Sequence, residues 1–277
     1  MRMKDTPDEL LDRWGLTILS MAADTGHARI WKVETADAVA ALKVYRRSDR
    51  GNEGPGSRLL SAWQDRGAVQ ILEEANNAVL MEWLDGPSLG DVARDGAPET
   101  AVNLLAEAAS HLHRSPRVEI SGLRTLNDVF TPLFRCEFTD TCDPKLKIAM
   151  QQSAALAREL LDSQQTLVPL HGDLHTDNVI LTKAGPKVID AKGYLGDPAF
   201  ELANALRHPK GMPDLVRDPI QIAKCLQLYS EAMAVTPERL AKWAAAKCAL
   251  SIYWRSHQQV SEDKEADLLR LFLQAAA

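Results

Sequence analysis

Between residues 171 and 190 the chain sets out polar side chains at short, fixed intervals. The run His171-Gly-Asp-Leu-His-Thr-Asp-Asn178 is followed by Val188-Ile-Asp190. Asp173 and Asn178 are five positions apart, and Asp190 lies twelve beyond Asn178. An Asp in a rigid loop can accept the proton of an attacking hydroxyl. An Asn five residues on, and a second Asp returned by a short hairpin, offer hard oxygen donors to magnesium. Together they suit phosphoryl transfer, which needs positioning and charge neutralisation more than covalent help. His171 and His175 have the four-residue spacing of zinc ligands on a helix. Gly172 and the strand-like runs on either side argue against a helix there, and no Glu follows His171.

The spacing resembles the kinase catalytic loop, H-x-D-L-x-x-x-N, with its later metal-binding Asp. A nucleotide-holding sheet must then lie upstream. Ala40-Ala-Leu-Lys43 resembles the kinase strand whose lysine neutralises the α- and β-phosphates. That lysine is oriented by a Glu from the next helix; Glu53, just ahead of Ser57–Arg66, is the candidate. Thr25-Gly26, between the first two strands, stands where a kinase places its glycine-rich loop, and tight-turn amides can cradle phosphate. It has one glycine rather than three. Met81-Glu-Trp-Leu84 stands at the hinge, where the Glu82 carbonyl and Leu84 amide would meet an adenine edge. Gly51 to Gly56 is read as a plain loop, since Pro55 removes an amide.

The flanking elements agree with this. Thr6-Pro7-Asp8-Glu9 starts a short helix reaching about Trp14. Strand-like runs cover 16–22, 29–34, 39–45, 69–73 and 78–84, with a helix over 57–66. Short polar turns argue for antiparallel pairing. Residues 1–84 form an N-lobe sheet with one internal helix, 85–88 a hinge, and 89–277 a mainly helical C-lobe. Helices are predicted over 101–113 and 146–161, from Phe200 onward, and three times in 219–277. Residues 114–143 are irregular. The fold class is α+β, bilobal and kinase-like.

The chain resembles the aminoglycoside phosphotransferase family, on the streptomycin 6-kinase and hydroxyurea phosphotransferase branch. The residues that carry this are Gly67-Ala-Val69, Leu80-Met-Glu-Trp-Leu-Asp-Gly-Pro-Ser-Leu89, Leu170–Val179, Val188-Ile-Asp-Ala-Lys-Gly193 and Gly196–Ala203. The resemblance implies ATP with Mg2+ and transfer to a hydroxyl of a small polar molecule. Carried over, Asp173 is the catalytic base, Asn178 and Asp190 hold magnesium, and Lys43 holds phosphate. Asp190 is followed by Ala-Lys-Gly rather than Phe-Gly, and Gly172 replaces the Arg that senses activation-loop phosphorylation in protein kinases. Too few residues separate Asp190 from Pro198 for a peptide platform, which favours a small-molecule acceptor.

Asp173, Asp177, Asp190 and Asp197 would gather negative charge at the cleft, so a cationic acceptor such as streptomycin is expected. Glu201 and the Glu137–Asp143 stretch are candidates for its pocket. The alternatives are a kinase of a metabolite (amino sugar, fructosamine, choline or homoserine) and a nucleotide-binding pseudoenzyme. The order of residues does not separate ATP from GTP.

The 277 residues carry 32 Lys and Arg against 38 Asp and Glu, a net charge of −6. An acidic chain is a poor bulk binder of nucleic acid or anionic membrane. The four cysteines form no Cys-x-x-Cys pair and read as reduced thiols. Early acidic residues deny the N-terminus a secretory signal, and no apolar run is long enough to cross a bilayer. A cytoplasmic monomer is expected.

Overall fold

The computed structural model describes residues 8–48, 50–257 and 259–277; Thr6 and Pro7, the expected start of the first helix, lie outside them. Helix α1 (Asp8–Trp14) leads into strands β1 (Thr17–Asp24), β2 (Ala28–Glu34) and β3 (Val39–Tyr45). A 3-10 turn at Gly51–Glu53 and helix α2 (Gly56–Ala62) precede β4 (Ile71–Ala75) and β5 (Ala78–Glu82). All neighbours pair antiparallel in the order β1-β2-β3-β5-β4.

Strand β3 is central and buried on both faces, which explains its short run of small and apolar residues. Ala40 and Leu42 pack with Leu16, Trp31, Val33 and Leu80, under Leu10, Leu11 and Trp14 of α1 and its C-terminal end. Ala41 and Tyr45 face the larger core instead. The two-residue period puts Lys43 on that second face.

Two expected strand ends shift. Residues 68–69 leave the sheet because Val69 N donates to Val188 O at 2.9 Å, so β4 starts at Ile71 rather than 69. β5 stops at Glu82 rather than 84. After it come α3 (Leu89–Arg94), capped by a Ser88–Asp91 capping box, and α4 (Pro98–Leu112). The irregular stretch holds β6 (Arg124–Thr125), α5 (Leu126–Phe130) and β7 (Glu137–Phe138), followed by α6 (Pro144–Asp162).

Strand β8 (Val168–Leu170) delivers the catalytic-loop sequence, and β9 (Val179–Thr182) and β10 (Gly185–Val188) form the hairpin after it. β11 (Tyr194–Gly196) pairs antiparallel with β8 and parallel with β6. From Phe200 the expected helix is instead a series of 3-10 turns, then α7 (Pro213–Arg217). The tail holds three longer helices as read from sequence: α8 (Pro219–Met233), α9 (Pro237–Arg255) and, after β12 (Gln259–Val260), α10 (Ala266–Ala275). α9 is buried along nearly its whole length from Leu240 to Tyr253 and packs against α6, α8 and α10. No helix among the described residues is long and apolar enough to cross a membrane.

Candidate active site

The loop after β8 is locked by its own side chains. His171 is fully buried; its Nε2 donates to Ile189 O at 2.7 Å, which leaves Nδ1 to accept from Asp173 N at 3.2 Å. Gly172 has φ +81°, and a Cβ there would meet the Tyr194 ring at 2.6 Å. Only glycine fits both constraints. Tyr194 in turn rests near Phe200, which packs edge-to-face on Phe130 and Trp243. The Asn178 amide donates to Asp173 O at 2.9 Å, and Ile189 N donates to Asn178 O at 3.0 Å. Asp173, Asn178 and Asp190 are thus tied by a few short bonds, and zinc is not served by His171.

The Asp173 carboxylate is held on both sides. Oδ1 accepts from Asn204 Nδ2 at 2.9 Å, and Oδ2 lies 3.4 Å from Lys192 Nζ. Burial would raise its pKa, but Lys192 and Lys247 outweigh burial and hold it below the usual carboxylate range.

Lys43 Nζ bonds Glu53 Oε2 at 2.7 Å and Asp190 Oδ1 at 3.0 Å. Burial opposes its charge, yet Asp190, Tyr45 and Glu53 raise its pKa, so it stays an ammonium. Glu53 sits in the 3-10 turn before α2, not in a plain loop, and its other oxygen accepts from Lys192 at 3.2 Å. Asp190 has a left-handed φ of +62°, uncommon outside glycine. A Cβ on Gly56 would overlap the Ala191 carbonyl oxygen, so the α2 start is pressed against the Asp190 segment.

Asn178 and Asp190 fit a hard divalent cation. The Asn178 NH2 is spent on Asp173 O, which leaves its oxygen as the donor. Asp190 Oδ2 has no hydrogen-bond partner among the described residues. His175, Asp177 and His208 also place ligand atoms within 4.8 Å of one another. Their imidazoles stack in parallel at 3.7 Å, so one ion cannot lie in both ring planes, and Arg94 engages Asp177.

At the β1–β2 turn, the Thr25 hydroxyl accepts from Ala28 N at 3.0 Å and donates to Ala28 O. Gly26 opens on a hollow of about 370 Å³ lined also by Arg46, Arg50 and Glu53. At the end of β5, the Glu82 carboxylate accepts from Gln70 N at 2.8 Å and from Lys187 Nζ at 3.2 Å, tying β5 to β10. Leu84 is half-buried against the main core.

Two acids expected in the cleft are elsewhere. Asp197 is buried, bonded by Arg239, Trp243 Nε1 and Ala199 N. Glu201 is buried beneath the loop, where Oε2 takes both His171 N and His113 Nε2 at 2.9 Å. In the Glu137–Asp143 stretch, Glu137 pairs in β7 with β12 and Asp143 caps α6. The site also contains residues that sequence reading missed: Lys192, Asn204, and a network in which Arg207 bonds both Asn204 and Ser251 at 2.7 Å. Lys247 donates to Ser251 at 3.1 Å; burial, then Arg207, push its pKa down to about 7.

Residues 13–258 match the family described as Aminoglycoside/hydroxyurea antibiotic resistance kinase. The chain belongs to this family. The streptomycin 3''-kinase of Klebsiella pneumoniae is 32% identical over 250 residues, covering 88% of this chain and 90% of that one. Among solved structures, the chain is similar to a thermostable mutant of aminoglycoside phosphotransferase APH(4)-Ia in its ternary complex with AMP-PNP and hygromycin B. That likeness has a TM-score of 0.67 at 14% identity and covers 98% of each chain. Choline kinase LicA from Streptococcus pneumoniae gives 0.65 at 15% identity, over 97% and 96%. This antibiotic-resistance-kinase family member therefore has the bilobal protein-kinase-like fold expected from its catalytic-loop spacing.

Proposed function

We propose that the chain is an ATP- and magnesium-dependent phosphotransferase that moves the γ-phosphate to a hydroxyl of a streptomycin-type aminoglycoside. One observation carries this reading. Lys43 and Glu53 from one lobe and Asp190 and Asp173 from the other form a single connected charged cluster. Residues 85–88 are the hinge between an N-lobe (1–84) and a C-lobe (89–277).

Asp173 orients the acceptor hydroxyl and takes its proton. Lys43, oriented by Glu53, holds the α- and β-phosphates. The Thr25-Gly26 turn covers the phosphates, and the Glu82 carbonyl and Leu84 amide hold the base. Magnesium at Asn178 and Asp190 would neutralise phosphate oxygens. The enzyme works as a cytoplasmic monomer.

A metabolite acceptor is the second reading. Arg207, bonded to the Asn204 that holds Asp173, places a cation behind that carboxylate, which suits a less highly charged acceptor than a polycation.

The test is mass spectrometry of acceptors after incubation with protein, ATP and magnesium, starting with streptomycin. Gain of one phosphoryl group supports the reading, and fragmentation separates the 6 from the 3'' position. Gain only on a metabolite supports the second reading. Bound ATP with no transfer to any acceptor would leave a pseudoenzyme.

A further inference from the structure

We propose that Lys192 is a catalytic residue whose ammonium neutralises the phosphoryl group on the acceptor side as it is transferred. This inference rests on the phosphotransferase reading and adds a residue to it.

Charges alternate in a line through the site. Asp190 meets Lys43 at 3.0 Å, Lys43 meets Glu53 at 2.7 Å, Glu53 meets Lys192 at 3.2 Å and Lys192 meets Asp173 at 3.4 Å. Lys43 and Asp190 stand at the nucleotide end of that line and Asp173 at the acceptor end. Lys192 is the cation at the acceptor end.

Its backbone is tied to the same loop, with Lys192 N donating to His171 O at 2.7 Å. The stem therefore starts from a fixed point beside Asp173. An ammonium has three donors, and two carboxylates share this one. The side chain keeps 18% of its surface exposed, so it is reachable from the cleft.

An acceptor hydroxyl must sit about 2.6–3.2 Å from Asp173 to pass on its proton. The phosphorus under attack then lies about 3–3.5 Å from that hydroxyl oxygen. Both positions are within reach of a flexible lysine already touching Asp173. In the transfer, the bond from acceptor oxygen to γ-phosphorus forms as the bond to the β,γ-bridging oxygen breaks. The bridging electron pair leaves with the nucleoside diphosphate, and the hydroxyl proton passes to Asp173. The equatorial oxygens carry charge throughout, and Lys192 meets them from the Asp173 side.

The experiment compares wild type, Lys192→Met, Asp173→Asn and the double variant at saturating ATP, magnesium and streptomycin. ADP affinity and thermal midpoint are measured beside turnover. Lys192→Met should lower kcat by about 10²–10³-fold, the scale for one lost charge-stabilising donor, with ADP affinity nearly unchanged. A further loss should appear in the Asp173→Asn background, because Lys192 also acts on the phosphoryl oxygens; it need not equal the single-variant factor, since the two side chains touch at 3.4 Å. No further loss in that background would overturn the proposal, since Lys192 would then only position Asp173. Wild-type kcat in Lys192→Met would overturn it while sparing the phosphotransferase reading. No transfer by wild type to any acceptor would overturn both. Lys192→Gln serves as the second variant should methionine impair folding.

Discussion

Lys43 and Asp190 are 147 residues apart in the chain, and their side chains meet at 3.0 Å. The contact joins the centre of the five-stranded sheet to the segment that follows the catalytic loop. Glu53 completes it at 2.7 Å. Three charged groups at low exposure are worth keeping only if each is paired, since an uncompensated buried charge costs several kcal/mol.

Removing the lysine should therefore affect nucleotide handling and structure together. Lys43→Ala is expected to raise the KM for ATP and lower kcat by about tenfold or more, as for a lost phosphate contact. Steady-state kinetics against ATP concentration checks this. Unchanged kinetics would remove Lys43 from the nucleotide site.

Gly56→Ala should damage a site that it does not itself enter. Its new Cβ would overlap the Ala191 carbonyl, which is backbone and cannot swing aside. A cost of about 1–3 kcal/mol is expected for such overpacking, with displaced Asp190 and Lys192 and reduced kcat. Gly26→Ala is the contrast: nothing lies within 4 Å of a Cβ there, so the thermal midpoint should hold.

Glu201→Leu should destabilise the catalytic loop from beneath. It strips the acceptor from His171 N and His113 Nε2. Each buried donor left without a partner costs about 1–3 kcal/mol. A drop in the denaturant midpoint with unchanged slope would confirm a loss of this kind.

Acid should weaken the fold through its buried imidazoles. Burial pushes His208 down to about 4 from 6.5, and His171 lies below the usual range for the same reason. The unfolded chain binds these protons near 6.5 and the folded chain refuses them until much lower. The contribution is thus complete above about pH 6.5 and is lost as pH falls toward about 4. Urea midpoints measured across that window should fall with pH, and His208→Gln should flatten the fall.

The loop that brings Asp173, Asn178 and Asp190 together was legible because all three stand at close spacing along one stretch of chain and are tied by short bonds. Glu53 was legible as a partner for Lys43, since it is the one carboxylate just ahead of the next helix. The fates of Asp197 and Glu201 were not. Both are acids beside the catalytic segment, and what buries them comes from afar: Arg239 and Trp243 for Asp197, His113 for Glu201. Gly56 looked like one glycine among several in a loop, because its close approach is to Ala191, more than a hundred residues later. Lys192 stands in the run quoted after Asp190, but its role does not show there, because it depends on Glu53 from the N-terminal sheet region as well as Asp173. Asn204 and Lys247 carry no local signal, as their contacts exist only once α9 and the 3-10 turns after β11 have packed.

The central claim is that Asp173 serves phosphoryl transfer to a small-molecule hydroxyl. Turnover of wild type and Asp173→Asn on the same acceptor, at saturating ATP and magnesium, tests it most directly. The geometry predicts a fall of about a hundredfold or more, the scale of a lost general base, in a protein with wild-type thermal midpoint and ADP affinity. Wild-type turnover in Asp173→Asn would contradict the account.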